Sequence, residues 1–386
     1  MKRGWCPSLY EPMAAGDGLL VRVKPHAATL SATDAGFLAE LATRHGNGVI
    51  ELTSRANLQF RGLTEAGAGA FADAVAGRGL ACADRAAERR RNIVVSPLAG
   101  VDPGVAEGTA KLAAAMATML ETYAGLDALP AKFGMVVDGG GALPVSGAAG
   151  DILLQLRAGQ VAISLAGDPP AVRVDAAAAP ETTRRLIGAF LDLGVGRMRD
   201  HAAGAVFAKA GLHPDTRRSA WNDGVAVGAH GHAFGFGLAF GQLSAVTLHA
   251  LAGLAARRGD GSLRVGPWRC VLLPGVDARA AGAVGGVITD PNDLALGIAA
   301  CAGMPACPHA TVPTRADALW LARSGATSGR TVHVSGCAKG CARPAAAAFT
   351  LVGDAGRYRL IRDGRADAAA PGGRLTLAEA AGQMAS

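Results

Sequence analysis

The stretch LSATDAGFLAELATRHGNGVIELTSRANLQFRG, residues 30–62, returns later in the chain as LSAVTLHALAGLAARRGDGSLRVGPWRCVLLPG, residues 243–275. The two copies align without a gap at a shift of 213 positions. They share three glycines, which pair as Gly46 with Gly259, Gly48 with Gly261 and Gly62 with Gly275. Matching alanines mean little in so alanine-rich a chain, but each glycine falls where a helix or strand is expected to end. The repeat therefore predicts two copies of one unit, related by a pseudo-twofold axis.

Each copy reads as strand, helix, two strands and helix, which is half of a ferredoxin-like fold. In the first copy, residues 18–24 form a predicted strand, and the hydroxyl of Ser31 is expected to cap a helix that carries Asp34 in its first turn. Gly46 is expected to end that helix in the left-handed conformation. Two strands and a second helix complete the unit. The second copy keeps this pattern.

Four of the seven cysteines lie near the C-terminus as C-x5-C followed by C-x3-C, namely Cys301, Cys307, Cys337 and Cys341. Structural zinc sites place about two to four residues between paired ligands, so the first pair is too open for zinc. A [4Fe–4S] cluster takes one thiolate per iron and tolerates wider loops. The spacing favours the cluster over its alternatives, which are a zinc site and buried thiols without a ligand role.

The segments between and after the two copies alternate strands with helices and predict two larger mixed α/β domains. The predicted fold is α+β, with pseudo-twofold duplicated ferredoxin-like half-domains and two larger α/β domains. The first half-domain is placed at residues 1–80 and the first larger domain at 81–223. The second half-domain is placed at 224–292 and a cluster-binding domain at 293–386.

The composition narrows the classes of partner. Half of the residues are hydrophobic and 18% are charged, so a disordered chain is excluded. The net charge of +7 suits an anionic ligand or an acidic protein partner. Nucleic acid is not expected, because no basic run with interleaved aromatic residues occurs apart from the arginines at 89–91.

The location is expected to be a reducing cytoplasm. No uncharged apolar run is long enough for a membrane span, and no apolar segment follows the basic N-terminus as in a signal peptide. The cysteine count is odd, and Cys6, Cys82 and Cys270 are expected to be ordinary thiols.

The cysteine spacing and the repeat together resemble the nitrite/sulfite reductase family, whose members are trilobed α/β proteins. Three further segments carry the resemblance over nearly the whole chain: residues 53–62, residues 91–93 and residues 129–134. They resemble the family's Thr-Thr-Arg-Gln-type strand, its Arg-Asn-Val segment and its Leu-Pro-Arg-Lys-Phe-Lys run. The resemblance implies that four cations bind substrate, namely Arg55, Arg61, Arg91 and Lys132. Where sirohaem is present, the resemblance implies that Cys341 bridges it to the cluster.

Two residues depart from the reductase pattern. Ala131 and Gly134 stand where the Leu-Pro-Arg-Lys-Phe-Lys run has an arginine and its second lysine. Their absence removes positive charge needed to bind and protonate a small oxyanion, which argues against six-electron reduction. The segments at residues 3–9 and 334–344 most resemble the branch that converts precorrin-3A to precorrin-3B in aerobic cobalamin biosynthesis.

Membership of that branch implies a monooxygenase that uses O2 and reducing equivalents from NADH, hydroxylates the ring at C20 and forms a γ-lactone. It also implies mononuclear non-haem iron, for which two histidines and one carboxylate are the usual ligands. The sequence does not single these ligands out. His201 beside Asp200 reads equally well as a solvated helix end, and His230 with His232 reads equally well as a glycine-rich turn. Two further histidines, His309 and His333, lie near the cysteine loops and are candidates for tuning the cluster potential.

No nucleotide-binding motif occurs, so a separate NADH-linked electron-donor protein is expected. Two other functions stay open on the sequence. One is a sirohaem-dependent nitrite or sulfite reductase. The other is an electron-transfer or tetrapyrrole-carrier module without catalysis of its own.

Overall fold

The computed structural model describes residues 7–123, 125–166, 168–194, 196–218, 225–327, 329–369 and 372–385. Cys6 and most of the segment at residues 3–9 lie outside these ranges. Within them the strands form sheets of five, six, five and four strands. No helix in these ranges is long and apolar enough to cross a membrane. The domain boundaries proposed from the sequence stay predictions.

The first half-domain follows the predicted order of elements, with two short strands added before the first helix. Its elements are β1 (Met13–Ala15), β2 (Gly18–Val23), β3 (Thr29–Ser31), α1 (Ala32–His45), β4 (Val49–Leu52), β5 (Leu58–Leu63) and α2 (Glu65–Gly77). The predicted cap of α1 is confirmed, because the Ser31 hydroxyl accepts from the Asp34 amide at 3.0 Å.

The predicted role of Gly46 is wrong. Gly46 is extended, with φ −128° and ψ −163°, and the left-handed residue is Gly48 at φ 74°. Gly46 is needed for space, because a Cβ there would lie 2.5 Å from the carbonyl oxygen of Arg61. The second copy repeats this contact between Gly259 and the carbonyl oxygen of Pro274.

The first larger domain is built on one mixed sheet. Its elements are α3 (Arg85–Arg90), β6 (Ile93–Val95), α4 (Thr109–Thr122), β7 (Met135–Asp138), β8 (Ile152–Arg157), β9 (Gln160–Leu165), β10 (Pro170–Asp175), α5 (Ala179–Asp192), α6 (Ala203–Lys209) and β11 (Thr216–Arg217). Strands β6, β7 and β8 are parallel neighbours, and β9 and β10 continue the sheet antiparallel.

The second half of the chain repeats this plan. The second half-domain contains β12 (Gly228–His230), β13 (Ala233–Gly237), β14 (Gln242–Ser244), α7 (Ala245–Arg258), β15 (Ser262–Gly266), β16 (Cys270–Pro274) and α8 (Ala278–Ala281). The last domain contains β17 (Ile298–Ala300), α9 (Thr314–Ser324), β18 (Val332–Ser335), β19 (Ala347–Asp354), β20 (Arg357–Gly364) and α10 (Leu377–Ala385).

The two half-domains exchange strands. β14 of the second copy pairs with β4 of the first, and β3 of the first pairs with β15 of the second. Helices α1 and α7 pack on each other, and residues from both copies share one hydrophobic core. The copies therefore form one packed body, because each sheet is completed by a strand from the other copy.

Backbone conformation confirms the shift of 213 positions. Outside glycine, a left-handed residue is uncommon because its Cβ crowds the backbone. Ala27 and Phe240 both adopt it, with φ 47° and 57°, and so do Ala56 and Arg269, with φ 55° and 58°. The residues of each pair are 213 positions apart but differ in type. The repeat therefore includes strained turns at positions where the two copies have different residues.

The two larger domains also share a chain path. Strands β17, β18 and β19 are parallel, as β6, β7 and β8 are, and an antiparallel strand follows in each case. Ser96 follows β6 as Cys301 follows β17. The Ser96 hydroxyl accepts from the Gly139 amide at 2.9 Å, and the Cys301 sulfur accepts from the Gly336 amide at 3.2 Å. The first domain thus has a hydroxyl where the last domain has a thiol.

Candidate functional site

The parallel pairing of β17 and β18 brings the cysteine loops to one edge of the sheet. Cys301 follows β17 directly, and Cys337 follows β18 after Gly336. The Cys301 amide donates to the carbonyl oxygen of Val334 at 3.3 Å, which ties the two strand ends together. The Cys307 amide donates to the carbonyl oxygen of Gly303 at 2.8 Å, so the loop between Cys301 and Cys307 is also ordered by its own backbone.

The four thiols lie close enough to influence one another. The pKa of Cys341 is raised, first by burial and then by the charges of Cys301, Cys337 and Cys307. Grouped thiolates repel, and iron bound between them would supply the compensating positive charge. In the described ranges, no three His, Cys, Asp or Glu side chains are grouped so as to hold a single metal ion. Four thiols on adjoining loops suit a cubane with one thiolate per iron, and the preference over a zinc site rests on the sequence spacing.

A cavity of about 720 Å³ opens beside these loops, within the usual range for small-molecule sites. The two half-domains and the last domain all contribute to its wall. Its polar, aromatic and cysteine residues are Glu51, Thr53, Ser54, Gln59, Phe240, Trp268, Arg269, Cys301, Arg315, Cys341 and Arg343. Since Cys301 and Cys341 are among them, a ligand in this cavity would lie against the proposed cluster.

Two arginines add positive charge to the cavity wall. Arg269 donates to the carbonyl oxygens of Ile298 and Leu296 at 2.8 and 3.0 Å, and Arg343 donates from Nε to the carbonyl oxygen of Ala346 at 3.0 Å. Neither forms an ion pair with a carboxylate of the described residues. The pKa of Arg269 is lowered, first by burial and then by Arg343. Both cations are thus available to an anionic ligand.

The third cavity arginine is already paired. Arg315 Nη2 lies 2.5 Å from Glu51 Oε1, and Gln59 Nε2 donates to Glu51 Oε2 at 3.1 Å. Glu51 is almost fully buried. Arg315 therefore contributes less net charge to a ligand than Arg269 or Arg343.

None of the four predicted substrate residues is among the described residues that line this cavity. Arg55 Nη2 donates to the carbonyl oxygen of Lys132 at 2.8 Å. Arg91 is buried and lies 2.8 Å from Glu88 at the wall of a smaller cavity of about 210 Å³. Arg61 is buried between Asp17 and Glu51. Their assignment to substrate stays a prediction.

The three segments that carried the family resemblance do converge. Asn57 Nδ2 donates to Asn92 Oδ1 at 3.2 Å, and Asn92 Nδ2 donates to the carbonyl oxygen of Phe133 at 3.0 Å. Together with the bond between Arg55 and Lys132, these contacts join strand β5 and its preceding turn to the segments at 91–93 and 129–134. Asn92, which the sequence did not single out, is the residue that links them.

Asn92 also explains why Gly134 carries no side chain. A Cβ on Gly134 would lie 2.7 Å from Asn92 Nδ2 and 3.2 Å from the Asn92 carbonyl oxygen. Asn92 cannot turn away without losing its bonds to Asn57 and Phe133. The second lysine of the reductase run therefore has no room here.

We expect Gly134→Ala to lower the free energy of unfolding by about 1–3 kcal/mol, the usual cost of overpacking a filled site. Urea unfolding of the two proteins measures the difference. Gly69→Ala is the matched control, because a Cβ at Gly69 in α2 meets nothing within 4 Å. The control should be neutral or slightly stabilising. Equal effects of the two substitutions would contradict the steric explanation.

Three arginines and Trp268 were not predicted from the sequence. Arg343 could have been found, because it stands two residues after Cys341, and Arg315 because it follows the C-x5-C segment at the start of α9. No sequence feature marked Arg269 or Trp268 as a cavity residue. The repeat aligns them with Ala56 and Arg55, and pseudo-symmetry alone does not indicate which copy faces the cavity.

The histidines considered for non-haem iron are not brought together. His201 packs edge-on against Phe190, with ring centroids 5.4 Å apart. His230 ends β12 and exposed His232 lies in the turn that leads into β13. Within the part of the chain that is described, neither position joins two further His, Cys, Asp or Glu side chains in a metal-binding group.

His333 is fully buried on β18, and neither of its ring nitrogens has a hydrogen-bond partner among the described residues. Its ring packs under the cysteine loop at Gly340, where a Cβ would lie 3.7 Å from His333 Cε1. Burial, followed by the charge of Arg343, lowers the pKa of His333 to about 4. His333 is therefore neutral in the folded protein near neutral pH.

This low pKa predicts a loss of stability in acid. In the unfolded chain the histidine takes up a proton near its ordinary pKa of 6.5, whereas the folded chain does not until about pH 4. Unfolding is therefore favoured progressively as the pH falls from about 6.5 to about 4. Urea midpoints at pH 7.5 and pH 5 should differ less for His333→Leu than for the native chain. Exposed His232→Leu should leave the difference unchanged, and an unchanged difference for His333→Leu would contradict the prediction.

Comparisons with known proteins agree with the architecture. A family model described as the nitrite/sulfite reductase ferredoxin-like half domain matches residues 11–77 and 227–284. A precorrin-3B synthase from a Sinorhizobium species is 33% identical over 391 residues, covering 95% of this chain and 84% of that protein. A ferredoxin–nitrite reductase from Synechococcus elongatus is 24% identical over 415 residues, covering 90% of this chain and 78% of that protein.

The fold is also similar to a solved structure. The NirA protein of Mycobacterium tuberculosis superposes with a TM-score of 0.72 at 18% identity, covering 94% of this chain and 79% of that one. At this identity the match speaks for the fold alone. It agrees with the predicted α+β architecture of duplicated half-domains and mixed domains.

Proposed function

The chain belongs to the nitrite/sulfite reductase family, and we propose that within it the protein is an O2-dependent monooxygenase of the precorrin-3B synthase type. The proposed reaction hydroxylates precorrin-3A at C20 and forms the γ-lactone, with reducing equivalents that originate from NADH. One structural observation carries the proposal. Arg269 and Arg343, which form no ion pair with a carboxylate of the described residues, line a cavity that Cys301 and Cys341 also line.

The substrate chemistry fits this cavity. Precorrin-3A is a tetrapyrrole with several carboxylates, and guanidinium groups bind carboxylates through paired N–H donors. Arg269 and Arg343 supply such donors from two different domains, so together they can orient the macrocycle between them. Trp268 and Phe240 offer aromatic surface on the same wall.

The four cysteines fit the cluster that the family resemblance implies. Bound by Cys301, Cys307, Cys337 and Cys341, a [4Fe–4S] cluster would supply single electrons at the cavity wall. The Gly336 amide donates to the Cys301 sulfur, an interaction of the kind that raises cluster potentials. Cys341 lies at an exposed position, and the adjoining Lys339 is also exposed, which suits docking of an acidic electron-donor protein.

The described residues do not fit mononuclear non-haem iron, because no group of two histidines and a carboxylate is present among them. No step of the proposed reaction is therefore assigned to that metal. The chain's own contribution is to bind the carboxylates and orient the ring against the cysteine edge.

A sirohaem-dependent nitrite or sulfite reductase is the second candidate. It is favoured by Cys341 on the cavity wall, the cysteine that the resemblance implies would bridge to sirohaem. It is disfavoured at Gly134, where Asn92 leaves no room for the lysine that the reductase run carries. The missing charge is the type of group that stabilises a reacting oxyanion.

The test is anaerobic purification followed by reaction with precorrin-3A, 18O2 and a chemical reductant. We expect the product to gain one 18O atom, as mass spectrometry would show. No mass change with a loaded cluster would overturn the monooxygenase and favour the carrier. A strong Soret band from retained sirohaem, with turnover of nitrite or sulfite, would establish the reductase instead.

A further inference from the structure

The loop between Cys301 and Cys307 is held from outside its own domain. Two donors of the first half-domain converge on one carbonyl oxygen in it, that of Ala306, next to Cys307. The Gly16 amide donates to this oxygen at 3.0 Å, and Arg61 Nη2 donates to it at 3.1 Å. Gly16 also packs so closely that a Cβ there would collide with the carbonyl oxygen of Pro305.

Arg61 is fixed before it reaches the loop. Its Nε and Nη2 bond to the two carboxylate oxygens of Asp17 at 2.9 and 2.8 Å, a bidentate pair of high geometric specificity. Its Nη1 lies 3.4 Å from Glu51 Oε2. Only 5% of the Arg61 side chain is exposed, and two carboxylates balance its charge. Such a cation is better suited to holding a neutral carbonyl than to capturing an anionic ligand.

The same network reaches the other end of the loop. Glu51 also binds Arg315, and the preceding residue, Thr314, donates from its hydroxyl to the carbonyl oxygen of Cys301 at 2.6 Å. Arg61 and Arg315 share Glu51 as an acceptor, so the two ends of the C-x5-C segment are connected through one buried carboxylate. The cysteine loop thus depends on the first half-domain for its position.

We propose that Arg61, oriented by Asp17, is a positioning residue for the cluster: with the Gly16 amide it holds the Ala306 carbonyl and thereby places Cys307. This inference rests on the cluster part of the proposed function and not on the substrate or the oxygenation. It gives Arg61 a role other than the substrate binding that the family resemblance implied.

Arg61→Met should shorten the half-life of the cluster absorbance in air by about tenfold or more, because a charge-assisted hydrogen bond to the loop is lost. It should also change the electron paramagnetic resonance spectrum of the reduced cluster. Arg61→Lys should restore part of the lifetime. Arg264→Met is the matched control, since Arg264 is a partly buried arginine whose partners among the described residues, Asp260, Ser262 and Thr29, lie outside the cysteine loops. The control should leave both readouts unchanged.

Gly16→Ala tests the same contact without touching a charge, in case Arg61→Met fails to fold. It should push the loop at Pro305 and shorten the cluster lifetime, which is compared at a temperature where the metal-free variant is still fully folded. Unchanged cluster lifetime and spectrum in folded Gly16→Ala and Arg61→Lys would overturn the proposal. If the native chain holds its cluster but does not oxygenate precorrin-3A, the proposed function fails and this proposal is still tested by the same variants.

Discussion

Replacing Cys341 by serine is expected to abolish the [4Fe–4S] cluster. The substitution removes one of the four predicted thiolates at an exposed position, where water can reach the iron that loses its ligand. The content of iron and of acid-labile sulfide should fall from about four atoms of each per chain to a small fraction of that amount. The broad absorbance shoulder near the blue end of the visible range should disappear in parallel.

Cys82→Ser is the matched control for this change. Cys82 donates to Glu121 Oε1 at 3.1 Å, a bond that a serine hydroxyl can also make, and it lies in the first half of the chain. The control should keep its full iron and sulfide content. An intact cluster spectrum in Cys341→Ser, or equal losses in the two variants, would remove Cys341 from the ligand set.

Replacing Arg343 by methionine should weaken binding of a polycarboxylate tetrapyrrole about 10- to 100-fold, since a hydrogen bond to a charged group contributes about 1.5–3 kcal/mol. Uroporphyrin is a suitable probe because it is stable and carries carboxylates on every ring. Its dissociation constant can be measured by fluorescence quenching with or without the cluster. This separates ligand binding from oxygenation.

Two variants make the result for Arg343 specific. Arg343→Lys keeps the charge but loses the two-pronged donor, so it should recover only part of the affinity. Arg365→Met removes a well-exposed arginine of the same domain that pairs with Asp367 at 3.1 Å, and it should not change the affinity. If Arg343→Met and Arg365→Met bind uroporphyrin equally well, the cavity is not the carboxylate site.

Features that depend on neighbouring residues were predictable. The order of elements in each half-domain and the Ser31 cap follow from short-range backbone chemistry and are present in the structure. Gly46 shows where that reasoning fails. Its sequence context predicted a left-handed helix end, but the close approach of the Arg61 carbonyl decided its conformation.

The position of each cation was not predictable in the same way. Arg55, Arg61, Arg91 and Lys132 all have the right chemistry, yet other residues line the cavity beside Cys341. Arg61 illustrates the reason. Whether it meets a ligand or a carbonyl depends on Asp17, Glu51 and Ala306, and the last of these is 245 positions away in the chain.

Local sequence patterns were enough to predict the elements of each half-domain and the pairing of the cysteines, because both depend on residues within a few turns or strands of one another. Three-dimensional packing set the strand exchange between the copies, the place of Arg269 and Arg343 in the cavity wall without a carboxylate partner among the described residues, and the bond from Arg61 to the cysteine loop. Those features arise where distant segments pack, and there the outcome depends on which groups are buried together and which charges they leave unbalanced.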